Sequence, residues 1–240
     1  MSGARWVIAA GVVAALHVGK LPPALPVLQQ VLGVSLLQAG FLLSLVQLAG
    51  MTLGLVTGIA VQRVGLKRSM VAGLLVLGSA SALGALAHDA GSLLATRALE
   101  GLGFLWVVLP APALVRGLVP QNRLNGMLGV WGAYMPLGTS LALLLGPQLI
   151  NSGTPDGGWR VWWGLLAAVT GVLAGVVAWR VPSRSLLHVP LASPRARAVG
   201  RQAKMLLSVT LRSRAAWVLA LTFAMYSGQW LSVVGFLPTL

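Results

Sequence analysis

Apolar runs of about twenty residues follow one another along this chain of 240 residues, separated by short segments rich in glycine, proline and basic side chains. As a helix, such a run crosses the ~30 Å hydrocarbon core of a bilayer. A soluble domain carries charge on about a quarter of its residues. Here 8% are charged and 57% are apolar, with a mean hydropathy of +0.88, so no water-compatible surface can be assembled and the lipid bilayer is the expected partner. The polar interruptions predict spans near 6–28, 37–61, 69–87, 91–115, 126–150, 160–181 and 215–238. In lipid a backbone can satisfy its own hydrogen bonds as helix, so the fold class is an all-α, multi-pass membrane protein. The run after Arg5 has the length of a cleavable leader, but it continues past Lys20 and further spans follow.

The formal charge of +14 does not indicate nucleic acid, because the cations form no stripe on a soluble face. They cluster instead in alternate connections. With the N-terminus inside, the inner segments hold Arg5, then Arg63, Lys67 and Arg68, then Arg116 and Arg123, then eight cations between Arg180 and Arg214, which accounts for fourteen of seventeen. The outer connections hold Asp89, Asp156 and Arg160. The positive-inside rule therefore predicts a cytoplasmic N-terminus in a bacterial-type inner membrane. Tryptophans 6, 159, 162, 163, 179 and 217 fall near span ends, as in an aromatic belt. The glycines at 50, 54 and 58, and Gly138, Ala142 and Gly146, recur every fourth residue and mark two small-residue faces for close helix packing. Three prolines, followed by Arg195, Arg197, Arg201 and Lys204 beside Met205, Leu206 and Leu207, set 182–214 apart as a cytoplasmic linker, either with a short interfacial amphipathic helix or as a solvated loop.

Between the second and third spans stands Gly58-Ile-Ala-Val-Gln62-Arg63-Val-Gly65-Leu66-Lys67-Arg68. It resembles the loop motif of the major facilitator superfamily, with Gly58, Arg63, Gly65, Lys67 and Arg68 at matching positions. Gln62 replaces the family's aspartate and Leu66 an arginine, so the charge pair through which that loop gates is weakened. Arg97-Ala-Leu-Glu100-Gly101-Leu-Gly103 resembles the same family's intramembrane motif, and Ala142 to Pro147 is similar to its glycine-proline motif without the closing glycines. More narrowly, the segments around Lys20, Tyr134 and Tyr226 resemble the cyanate and nitroimidazole transporter-like branch. The resemblance implies a six-helix N-terminal bundle over 1–181, the linker over 182–214, and a seventh helix over 215–240 that begins a second half. It also implies secondary transport of a small solute by alternating access, incomplete in this chain alone for want of a C-terminal half.

An ionisable side chain inside a bilayer is costly unless paired or hydrated, and is read as functional by default. Lys20, Arg97 and Glu100 are three such groups, with His17 a fourth polar candidate. At 1.5 Å per residue, Lys20 lies roughly 12 Å from the outer surface, and Arg97 and Glu100 roughly 9 and 14 Å, so all three share a depth. In the resembled fold the first, fourth and seventh spans line a central cavity, which implies a substrate site of Lys20, His17, Arg97, Glu100, Tyr134, Tyr226 and Gln229. Two cations against one carboxylate suit a small anion. A purely structural charge cluster and proton-coupled export of a neutral organic compound stand beside that reading. The prolines at 22, 23 and 26, and at 110 and 112, remove helix hydrogen bonds and mark places where the first and fourth spans bend or face a cavity.

Three histidines, three acids and no cysteine offer neither a metal cluster nor a catalytic carboxylate pair, so no cofactor and no enzyme activity are expected. A non-transporting, regulatory half-transporter is the other class that fits a chain of this length.

Overall fold

The computed structural model describes residues 2–151, 157–182, 208–209 and 211–236. Ten α-helices stand among them: α1 Ser2–Gly19, α2 Leu25–Leu32, α3 Leu36–Val64, α4 Leu66–Ala85, α5 Ala90–Val108, α6 Ala111–Leu118, α7 Gln121–Gly132, α8 Tyr134–Asn151, α9 Gly158–Arg180 and α10 Arg214–Phe236. Three pairs are single spans interrupted midway, so that Gly3–Leu32, Leu36–Gly54, Leu66–Ala85, Ala90–Leu118, Gln121–Asn151 and Gly158–Arg180 are six runs long and apolar enough to cross a membrane. The chain forms two compact units, one of α1 to α9 and one containing α10 as far as Gly235. The helix α10 covers most of the stretch 215–238 expected as the seventh span, while the expected interfacial helix, within 195–207, lies outside the described residues.

Two of the three interruptions fall at prolines. Pro22 and Pro23 lack the N–H groups that would continue α1, and a short 3-10 turn, Pro22–Ala24, replaces it before α2 begins. Pro110 is the N-cap of α6 and ends α5 at Val108. Pro147, by contrast, is carried inside α8 without a break. The loops are equally determined. Ser35 and Gln38 form a reciprocal capping box at the start of α3, and the Asp89 carboxylate accepts from the Ser92 N–H at the start of α5. Gly65 alone joins α3 to α4, at φ +96°, a conformation essentially reserved for glycine.

Close packing inside the bundle is made by glycine. A Cβ on Gly103 would lie 2.7 Å from the Leu77 nitrogen, and one on Gly73 would lie 2.8 Å from the Gly103 carbonyl, so α4 and α5 cross backbone to backbone. Gly138 and Ala142 of α8 are pressed onto α1, and Gly146 onto Pro23. The matching stripe on α3 is different, because a Cβ on Gly54 or Gly58 would meet nothing within 4 Å. Equal spacing thus marks one packed face and one open face. The aromatic belt also divides: Trp179 and Trp217 are exposed, but Trp159, Trp162 and Trp163 are buried among the helices and do not face lipid headgroups.

Candidate functional site

The interruption of α1 creates acceptors in the middle of the bundle. An unbroken helix would satisfy the Val18 carbonyl with the N–H of residue 22 and the Gly19 carbonyl with that of residue 23, but both residues are proline. Arg97 of α5 fills part of the gap. Its Nη2 donates to the Val18 carbonyl at 3.4 Å, its Nη1 to the His17 carbonyl at 2.6 Å, and its Nε to the Leu42 carbonyl of α3 at 3.1 Å. The same Nη1 donates to Glu100 Oε2 at 2.6 Å, the two side chains lying three residues apart on one helix face.

Lys20 follows the last turn of α1, so its ammonium enters the same space. It donates to Glu100 Oε1 at 2.5 Å and to Ser81 Oγ of α4 at 2.8 Å, and it lies 3.4 Å from His17 Nδ1. The ammonium also stands 4.5 Å from the centre of the Trp163 ring, within cation–π range. The network dictates the hydrogen positions. Thr170 Oγ1 donates to the Leu166 carbonyl at 2.7 Å, so at 2.8 Å it accepts from His17 Nε2, which leaves Nδ1 as the acceptor facing Lys20. Ser81 Oγ likewise donates to the Trp163 carbonyl at 3.0 Å and accepts from Lys20.

Charge is nearly balanced by geometry. The formal sum is one positive charge, but the C-terminal end of α1 contributes a partial charge of roughly −0.5 through carbonyls that Arg97 contacts. Lys20, Glu100, His17 and Arg97 are 0, 1, 1 and 3% exposed. The helices of this one unit cover them completely, and all three ammonium donors have acceptors. Such a cluster is a polar joint binding α1, α4, α5 and α9 in a place where water cannot substitute.

The other expected site residues lie elsewhere. Tyr134 stacks on Trp131 with ring centroids 4.3 Å apart, half-buried at the junction of α7 and α8 and outside the cluster. Tyr226 and Gln229 belong to α10 in the second unit, where both are exposed. In the α3–α4 turn Arg63 and Arg68 are exposed, Lys67 is half-buried, Gly65 supplies the turn, and Gly58 sits on the open face of α3. Ser81, Thr170 and Trp163 complete the cluster without having been legible in sequence. A lone hydroxyl in an apolar span is commonplace, and only the Lys20 contact distinguishes Ser81.

Comparison with known proteins agrees with this architecture. The family model described as Major Facilitator Superfamily matches residues 7–240. The chain is 28% identical over 150 residues to a protein of Aspergillus fumigatus named a major facilitator superfamily multidrug transporter, covering 62% of this chain and 28% of that protein. It is 29% identical over 178 residues to a methyl viologen resistance protein of Salmonella typhimurium, covering 71% of this chain and 34% of the other. Among solved structures, a bacterial homologue of the human lysosomal transporter Spinster, in an inward-facing and unoccupied conformation, superposes with a TM-score of 0.72 at 15% identity, over 99% of this chain and 55% of that one. The chain therefore spans about a third or less of the length of these curated relatives.

Proposed function

This chain belongs to the major facilitator superfamily, and from that premise we propose that it is the N-terminal portion of a secondary transporter moving a small organic solute by alternating access. The observation that carries the reading is the buried joint of Lys20, His17, Arg97 and Glu100 at the proline break of the first span. A span interrupted at mid-membrane, with its loose carbonyls held by an arginine of the fourth span, is a place where helices can shift without exposing bare backbone polar groups to lipid. The relatives' names favour organic compounds as the solute class, methyl viologen among them. Tyr134, Tyr226 and Gln229 are the better candidates for solute contact, being less covered than the charged four.

A small anion held by Lys20 is the second reading. It is favoured by two cations against one carboxylate and by the resemblance to the cyanate and nitroimidazole branch. It requires a state of the cycle in which Ser81 or Glu100 releases the ammonium. In either case the chain is a carrier component and not an enzyme, placed in a bacterial-type inner membrane with its N-terminus cytoplasmic and its missing wall supplied by a C-terminal half.

Co-expression with the C-terminal half of a family relative, in a host sensitive to methyl viologen, tests the proposal. The pair is expected to export the compound and the chain alone to do nothing. Transport by purified chain alone, above the background of empty liposomes, overturns the half-transporter reading. Carriage of cyanate but not of methyl viologen by the pair selects the anion.

A further inference from the structure

At the membrane end where α1 begins, three helix termini converge. A Cβ on Gly3 of α1 would lie 3.4 Å from Leu118 at the end of α6 and 3.5 Å from Pro182 just beyond α9. Each of these termini carries one arginine in its terminal turns: Arg5, Arg116 and Arg180. All three are exposed. The Arg180 guanidinium lies 4.4 Å from the centre of the Trp179 ring, and that indole, 78% exposed, is among the most exposed apolar side chains described.

Among the described residues no carboxylate lies at this end. Of the two acids among the described residues, Asp89 falls in the α4–α5 connection, at the other end of an alternating bundle, and Glu100 is inside it between Lys20 and Arg97. The carbonyl ends of α6 and α9 offset the N–H end of α1 here, so the positive charge of this end is carried by the three exposed guanidinium groups, which an anion outside the chain can approach. The exposed indole beside the guanidinium identifies the source, because tryptophan prefers the level where headgroup meets acyl chain. We propose that the ends of α1, α6 and α9 bind an anionic phospholipid, with Arg5, Arg116 and Arg180 on the phosphate and Trp179 at the glycerol boundary. Basic clusters between helix ends on one leaflet are suited to such headgroups. The site is independent of the solute that the protein carries.

The experiment uses the whole chain in phosphatidylcholine bilayers containing a minor fraction of either brominated phosphatidylglycerol or brominated phosphatidylcholine. The emission that Trp179→Phe removes should be quenched more strongly by the anionic lipid, and raised salt should weaken the preference. The triple variant Arg5→Gln, Arg116→Gln, Arg180→Gln should lower the preference about a hundredfold. The pair Arg63→Gln, Arg68→Gln, on the α3–α4 turn, should lower it much less. Equal quenching of the native protein by both lipids overturns the proposal and needs no variant to fold. An unchanged preference in the triple variant, or an equal loss in the Arg63 and Arg68 pair, overturns it also, the latter by showing diffuse surface charge instead of a site.

Discussion

Lys20 carries three N–H donors into a fully buried position, and each of its acceptors comes from a different source: a carboxylate of α5, a hydroxyl of α4 and a ring nitrogen of α1. Removing the ammonium would leave Glu100 Oε1 and His17 Nδ1 bare. We expect Lys20→Met to destabilise the protein by about 3–5 kcal/mol, the range for breaking one partner out of a buried pair. Lys20→Arg keeps the charge but adds volume where nothing is exposed, at about 1–3 kcal/mol. Thermal unfolding in detergent ranks the two, and a Lys20→Met protein melting with the native one would remove the cluster's structural role. The double variant Lys20→Met, Glu100→Gln should not recover the loss but add to it, because Glu100 still holds Arg97 through Oε2 and the glutamine leaves that buried guanidinium without its carboxylate.

Helices that look alike in sequence differ in what they meet. Gly103 and Gly54 both sit inside apolar spans, yet an added Cβ collides with α4 at the first and reaches nothing at the second. Gly103→Ala should force α4 and α5 apart and cost about 1–3 kcal/mol. Gly54→Ala should be neutral or stabilise by up to about 1 kcal/mol through helix propensity. Opposite signs for one chemical change, read as melting temperatures of this chain, check both the α4–α5 crossing and the openness of α3. The breaks teach a related lesson. Prolines at 22 and 23 interrupt their span with two consecutive missing N–H groups, whereas the single Pro147, on an exposed face of α8, is carried within the helix.

At the scale of the molecule, the placement of the cations predicts how the bundle sits in its membrane. Insertion with the N-terminus inside places Arg63, Lys67, Arg68, Arg116, Arg123 and Arg180 on the cytoplasmic side, and an odd number of spans then carries Leu240 across. Reporter fusions at Ser2 and at Leu240 should report opposite compartments. If both lie on one side, either the orientation or the crossing of α10 is wrong.

The sequence by itself determined that the chain is helical and membrane-embedded, roughly where each span lies, and which three charges share a depth. Each of these follows from local composition, run length and helical rise, which need no tertiary contact. Motif residues in order identified the family, since turns such as Gly65 demand particular residue types whatever surrounds them. Tertiary structure alone decided which small-residue stripe is packed, which tryptophans face inward, and that Lys20 meets Glu100, Ser81 and His17 instead of open solvent. Those outcomes depend on the rotation of each helix about its axis and on its neighbours. A periodicity of 3.6 residues specifies a face but not what the face will touch.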